Sequence, residues 1–539
     1  MLNPSAPGPS RKVRGLFFSP AGPPVAITIG PVTHQPGKGA GFSAEGRRDN
    51  LRHLASNPVD VLVIGGGITG AGIALQASLK GLSVGLVEAK DFASGTSSRS
   101  SKLVHGGFRY LAQGEVGLVH EALQERRRLS EMFPSLVAPI SFLMPIPRSL
   151  LQGALLTAGF WTYDALSIGS HFPHHRRVSA AVAREMAPAL EKSPIRGAWM
   201  YWDAQTDDAL LTVEVLRRAS AAGARVANYA EVTGARRSRG GWVVDVRDHA
   251  GAAIEVQASY LVNAGGIWAE TIEGLTGEQP RTHLRPSKGV HLAFKLTDLP
   301  IHTALAFPVG DGRVLFAIPW KGYAIVGTTD DDYDGDIAHP GCSPEEEQDL
   351  LGGVNRYFNL DLRHEHVRSR WAGVRPLVLP SKVDGDGATK DLSRKPYIKL
   401  DERGLLTVTG GKLTTFWRMA EEAVALLPAG SGETQSMPGE LPAPPPAGTG
   451  SAPLPGDAAY TMADVERALD AGMALELDDV LSRRLRLSFV DTAAAAAAAP
   501  EVAEAMAARY GWTDVGARVD AFLETLAREF GHSPVPARV

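Results

Sequence analysis

Gly65, Gly67, Gly70 and Glu88 are the residues whose spacing most directly predicts chemistry. The run 60–70 reads Asp-Val-Leu-Val-Ile-Gly-Gly-Gly-Ile-Thr-Gly, a short buried-strand pattern that enters a helix through glycines. Gly65 permits the tight turn, Gly67 lets the backbone approach a pyrophosphate, and Gly70 lets the helix pack close to the strand. Free N–H groups and partial positive charge at the helix start suit a phosphate. A second strand over 83–87 ends at Glu88. An acid about 20 residues beyond such glycines holds a ribose hydroxyl.

The stretch 94–110 separates flavin from nicotinamide chemistry. It is small, polar and glycine-rich, and contains Thr96, Ser97, Ser98, Lys102, His105, Gly106 and Gly107. Such a segment can lie flat against a large planar ring and present N–H groups to its heteroatoms. A nicotinamide domain would continue with apolar strands and helices, and a flexible surface loop is the other reading. Gly265 ends a later buried strand and marks a second close backbone approach.

Five motifs then occur in order: Gly-Gly-Gly-Ile-Thr-Gly-Ala-Gly (65–72), Ser-Ser-Lys-Leu-Val-His-Gly-Gly-Phe-Arg-Tyr (100–110), Gly-Thr-Thr-Asp (327–330), Gly-Val-Arg-Pro-Leu (373–377) and Gly-Gly-Lys-Leu-Thr-Thr (410–415). Together they resemble the FAD-dependent, aerobic glycerol-3-phosphate dehydrogenase family over residues 57 to 530. The resemblance implies an α/β fold in which a Rossmann-like FAD-binding domain is interleaved with an antiparallel-sheet substrate domain, as in D-amino-acid oxidase. A C-terminal helical domain is added to it.

The implied reaction moves hydride from a secondary alcohol carbon of sn-glycerol 3-phosphate to FAD, with electrons passing to membrane quinone. It needs an anion clamp, a base, and cations or donors near the flavin N1/O2 edge; the flavin supplies the electron chemistry. Arg375 leads as clamp, because Pro376 restrains its backbone and a guanidinium grips phosphate by two oxygens. Arg109 and Arg394 are second choices, and Lys395-Pro396-Tyr397 departs from the family's spacing after Arg394. Lys412 sits at a helix start among Gly410, Gly411, Leu413 and Thr414, and suits either the flavin O2 edge or the substrate. His291 is the candidate base, since neutral imidazole takes a proton near pH 7, and His105 is its rival. Tyr110 and Thr329 can hydrogen-bond substrate, with Asp330 to orient them. A dioxygen-using oxidase and a non-catalytic flavin-binding regulatory protein are the alternative readings.

These residues must be positioned by several segments. Residues 1–55, crowded with proline and free of acids before Glu45, predict a disordered extension, either a flexible tail or a mis-assigned start. The prolines oppose the amphipathic helix of a transit peptide. FAD-binding segments are expected at 56–135, 201–288 and 396–429, and substrate-domain segments at 136–200 and 289–395. A linker at 430–456 precedes helices in 457–539; an alanine run from Ala493 reads as low-complexity helix or linker.

A chain of 539 residues predicts about two to four domains. Its single cysteine excludes an internal disulfide and fits a reducing cytosol. Net charge −4 gives no reason to expect nucleic acid. Asp330-x-Asp332-x-Asp334-Gly335 imitates half a calcium loop but has Gly341 where its last ligand belongs. Arg176 and Arg177 likewise oppose a cation at His171, His174 and His175, so no metal is expected.

No apolar run reaches the about 18 residues that span a bilayer. Leu150, Leu151, Leu155, Phe160 and Trp161 can instead form a face that dips into a membrane surface or packs on the protein. With the resemblance, this predicts a cytoplasmic protein held peripherally at the inner face of the cell membrane. A second copy, as a homodimer, is an open partner.

Overall fold

The computed structural model describes residues 41–146, 150–310, 313–379, 395–430, 432–440 and 452–532. Two large sheets carry the architecture. In the first, the strand order is Pro396–Leu400, Leu405–Gly410, Ala253–Asn263, Val59–Ile64, Val84–Val87, Arg225–Ala227. All pairings after the first run parallel, and the buried pattern of Val59–Ile64 is the one expected when both faces are covered. Ile68–Leu79, Asp208–Ala221 and Phe416–Ala425 supply covering helices. Chain order reverses on either side of Val59–Ile64, which opens a ligand crevice at the carboxyl ends of the strands.

Trp242–Val246, Ala253–Val256 and Tyr260–Asn263 read as separate strands in the sequence. Instead Ala253–Asn263 is one 11-residue strand. Its first half pairs antiparallel with Gly241–Asp248 and its second half parallel with Val59–Ile64. Polar Gln257 and Ser259 interrupt the apolar pattern but leave the backbone ladder intact.

The second sheet is mostly antiparallel. Leu284–Lys295 runs between Tyr323–Gly327 and Val367–Val378, and pairs with the latter along nearly its whole length. Val137–Pro145, Gly197–Thr206 and Leu103–Val104 extend this sheet, so the flavin-facing stretch itself contributes a strand. Helix Pro344–Phe358 starts at Ser343 in a capping box with Glu346 and buries Leu350, Val354 and Phe358 beside Val290 and Leu292. The interleaved α/β architecture is the one the sequence predicts.

One expectation is corrected, and an open one is decided. Residues 44–56 are not part of a disordered extension: Ala44–Ser56 is a helix, capped by Ser43, that buries Leu51 and Leu54 against the first sheet's outer face. Its apolar spacing was masked by the proline-rich stretch before it; residues 1–40 lie outside the described residues. For the alanine run, the helix reading holds and the linker reading falls. It forms the first turns of helix Thr492–Tyr510, where Asp491 accepts the N–H groups of Ala493 and Ala494. Ala495, Ala498 and Ala499 pack into a core shared with Trp320 and Trp371 of the second sheet. Small side chains let that helix approach closely.

Candidate active site

A cleft of about 1460 Å³ runs between the two sheets. That exceeds the roughly 300–1,000 Å³ of a single small-molecule pocket and suits an extended dinucleotide plus a substrate. At its nucleotide end, Gly65 has φ +114, and a Cβ there would lie 2.5 Å from the Ala264 carbonyl oxygen. Gly67 lines the cleft, and a Cβ on it would meet Ser97 Oγ at 3.1 Å. Gly70 lies behind the wall: its missing Cβ would sit 2.0 Å from the Gly65 oxygen, so it acts through helix–strand packing.

Glu88 accepts the Gly66 N–H at 2.6 Å and the Lys90 N–H at 2.9 Å while facing the cleft. Burial raises its pKa, opposed by those two backbone donors. These residues fit the pyrophosphate and ribose of FAD, which they would hold at the strand ends. Gly265 continues the wall.

The flavin-facing segment presents Thr96, Ser97, Ser101, His105 and Gly107 to the cleft. Ser97 Oγ accepts the Ile68 N–H at 2.9 Å, tying the segment to the start of the glycine-turn helix. Thr96 Oγ1 donates to the Val374 carbonyl at 2.6 Å. Thr414 clips the strand carrying His105 to the return segment, accepting its N–H at 3.2 Å and donating to its carbonyl at 3.3 Å. Gly411, Lys412, Leu413 and Thr414 all line the wall.

Three residues expected to touch cofactor do not line the cleft. Lys102 is fully buried and donates to Asp208 at 2.9–3.0 Å. Ser98 is buried, with its carbonyl turned toward Lys102 and Arg486. Gly106 donates to Asp203 at 3.1 Å, and a Cβ there would strike Leu123 and Tyr163. Composition marked the whole stretch as polar, but the tight turn Thr96–Ser98 and the left-handed backbone of Lys102, φ +61, send some of its residues inward.

At the substrate end, Arg375 and Lys412 reach the cleft from different sheets. Arg375 donates to Asp330 at 3.0 Å, the Thr329 carbonyl at 3.2 Å and Ser287 Oγ at 3.3 Å, which fixes its plane. Lys412 lies 3.9 Å from the Tyr110 ring centroid, and its backbone caps the turn Leu413–Thr415. A cation at a helix start is unfavourable unless negative charge arrives there, as reduced flavin or substrate phosphate supplies.

Thr329 is a correction: it is buried, and its hydroxyl accepts the Val290 N–H at 3.1 Å instead of facing the cleft. Asp330, beside it, does line the cleft. The Arg109 side chain and Arg394 lie outside what the structure describes.

His291 sits on the cleft wall, 3% exposed, with its ring stacked on Trp371 at 5.1 Å. Its Nε2 is 2.9 Å from Ser101 Oγ. Nδ1 is buried and has no hydrogen-bond partner among the described residues. Burial first, then Lys102 and Arg375, hold its pKa well below the usual histidine value, so the ring is neutral. Ser101 and Trp371 escaped the sequence reading. Ser101 lies inside the 100–110 motif and Trp371 just before the 373–377 motif, and Trp371 reaches His291 through the pairing of Leu284–Lys295 with Val367–Val378.

The wall continues into an apolar arm formed by Phe142, Met144, Leu155, Leu156 and Phe316. Leu155 and Trp161 of helix Leu150–Leu166 are about two-thirds exposed, at 65% and 66%. Phe160 does not share that outer face: it is buried and stacks on Phe108. The side chains of Leu150 and Leu151 are outside the description.

Comparison with known proteins gives this geometry its context. Residues 60–426 match the FAD dependent oxidoreductase family, and residues 437–516 match the C-terminal domain of alpha-glycerophosphate oxidase. The chain is 39% identical over 376 residues to glycerol-3-phosphate dehydrogenase 2 of Mycobacterium bovis, covering 69% of this chain but only 63% of that protein's length. It is 32% identical to the Mycobacterium leprae glycerol-3-phosphate dehydrogenase, with 90% of each chain covered. A solved glycerol-3-phosphate dehydrogenase from Bacillus halodurans, complexed with FAD, superposes with TM-score 0.71 at 27% identity, covering 90% of this chain and 98% of that one. L-alpha-glycerophosphate oxidase from Mycoplasma pneumoniae shares the fold, with TM-score 0.54 at 18% identity over 69% of this chain and 95% of its own. The matches span both the glycine turn and the motif strands bearing Arg375 and Lys412, and so the chain belongs to the FAD-dependent glycerol-3-phosphate dehydrogenase family.

Proposed function

We propose that this chain oxidises sn-glycerol 3-phosphate to dihydroxyacetone phosphate and passes the electrons to membrane quinone. The observation that carries this reading is the continuity of one cleft, from the Gly65–Gly67 turn to the Arg375 and Lys412 cations. FAD, when bound, supplies the hydride acceptor. Arg375, braced by Asp330, grips the phosphate and orients the C2–H bond. The hydroxyl proton leaves through Ser101 Oγ to neutral His291, with His105 as the alternative base on the same wall. Lys412 stabilises the negative charge that accumulates across the reaction.

The apolar arm and the exposed Leu155–Trp161 face support a lipophilic acceptor delivered from a membrane. A cytoplasmic protein bound at the inner face of the membrane follows from that delivery. No helix among the described residues is long and apolar enough to cross a bilayer. A dioxygen-using oxidase is the second reading, favoured by the match of the C-terminal segment to a glycerophosphate oxidase domain.

Anaerobic addition of glycerol 3-phosphate should bleach the flavin, and turnover with a quinone analogue should exceed that with dioxygen. Peroxide as the main product would favour the oxidase, and no bleaching would refute both. His105→Asn and His291→Asn, compared by the pH dependence of flavin reduction, identify the base.

A further inference from the structure

The segment 96–102 has two faces. Ser97 and Ser101 meet the glycine-turn helix and His291 on the cleft side. On the other side Lys102, together with Ser100 at the cleft margin, donates to Asp208 at the start of helix Asp208–Ala221, and the Ser98 carbonyl accepts from Lys102. Asp208 accepts the Ser100 N–H at 3.0 Å, its hydroxyl at 2.7 Å and the Lys102 ammonium at 2.9 Å. Asp208, Lys102 and Arg486 are each 0% exposed. None of the three lines the cleft.

Arg486 comes from the C-terminal helical unit, between the turn Asp479–Arg484 and the helix Leu487–Val490. Its φ is +72, a conformation that disfavours residues bearing a Cβ. That backbone aims the guanidinium inward: Nη2 donates to the Ser98 carbonyl at 2.7 Å and to Asp208 at 2.9 Å. Nη1 donates to the Ser482 carbonyl at 3.1 Å, and the group lies 4.0 Å from the Phe489 ring centroid. Asp207, 3.3 Å from Nε, gives two buried carboxylates opposite Lys102 and Arg486. Two further ties join the same regions: Arg99 to Glu529, and Arg484 to Asp91 at 2.8 Å.

We propose that Arg486 is a positioning residue for the cofactor: through the Ser98 carbonyl and Asp208, the C-terminal helical unit holds segment 96–102 in the shape that presents Ser97 and Ser101 to the flavin cleft. This rests on FAD being the occupant of that cleft and goes beyond the proposed reaction. A charged donor satisfying a carbonyl and a carboxylate together cannot be replaced by solvent in a fully enclosed site.

The test uses the full-length chain, stripped of flavin and titrated with FAD by flavin fluorescence and visible absorbance, with melting of the apoprotein followed in parallel. Arg486→Gln should raise the FAD dissociation constant at least about tenfold while cooperative melting persists, and Arg486→Lys should recover part of the loss. Unchanged FAD affinity in folded Arg486→Gln overturns the proposal. Wild-type chain that fails to bind FAD overturns the cofactor reading instead. Should neither variant fold, hydrogen exchange on the wild-type holoprotein decides. The amides of Ser100, Lys102 and Thr206 should open together with those of Phe489 and Asp491; a segment that opens independently of the C-terminal unit overturns the proposal.

Discussion

Arg375 and Asp330 form an ion pair inside the cleft, Nη1 to Oδ1 at 3.0 Å. The aspartate holds the guanidinium pre-aimed at the cleft. Arg375→Ala should therefore raise KM for glycerol 3-phosphate about 10- to 100-fold, the worth of one or two charge-assisted hydrogen bonds. FAD should stay bound, and flavin lost in equal measure would remove the clamp assignment.

Gly289 makes room for that clamp. A Cβ at this position would lie 2.3 Å from Arg375 Nη2 and 2.5 Å from Thr328 Oγ1. Gly289→Ala should push the guanidinium aside and raise KM several-fold, and it should add little on top of Arg375→Ala because both changes act on one group. Steady-state kinetics of the two single variants and the double variant check this; independent effects would show that the glycine serves another purpose.

Much of this was legible because backbone needs leave marks in residue type. The glycine turn, Glu88 and the buried run of Val59–Ile64 each follow from local geometry, and the structure sets all three in one crevice. What stayed hidden depends on side-chain direction. Lys102, Ser98 and Thr329 belong to the right segments but point into the protein, as their partners Asp208, Lys102 and Val290 make evident. Burial of Arg486 beside Asp208, 278 positions apart, has no local signature at all.

Glu88 lines the cleft beside the glycine turn. Its carboxylate holds the Gly66 N–H in the glycine turn as well as facing the ribose position. Glu88→Ala should weaken FAD retention about tenfold or more, seen by equilibrium dialysis of the reconstituted protein, with KM for substrate in the FAD-saturated enzyme little changed. A shift confined to KM would contradict the ribose assignment.

Glu125 supplies a pH test of stability. It is 6% exposed, Arg128 approaches only to 3.8 Å, and its Oε2 has no partner among the described residues. Burial pushes its pKa up to about 7 from 4.5. The folded state thus binds the proton more tightly than the unfolded chain. Stability from this group is fully present below pH 4.5 and is lost as pH rises to about 7. Glu125→Gln should raise stability by about 1–3 kcal/mol at pH 8 and leave it nearly unchanged at pH 4.5, by denaturant titration. A gain of equal size at both values would rule out ionisation as the cause.

The exposed Leu155 and Trp161 lead to a prediction about membranes. Leu155→Ser with Trp161→Ser should reduce co-sedimentation with anionic lipid vesicles at least tenfold while glycerol 3-phosphate still bleaches the flavin. Undiminished vesicle binding would assign that face to contacts other than lipid.

The strand Leu405–Gly410 completes the parallel sheet beside Ala253–Asn263, although it is encoded more than 300 residues after the first glycine turn. A ribosome making this protein therefore releases the nucleotide-binding half long before that half can close. Until then the ladder groups of Leu261–Asn263 that await this strand form an open, adhesive edge on the nascent chain.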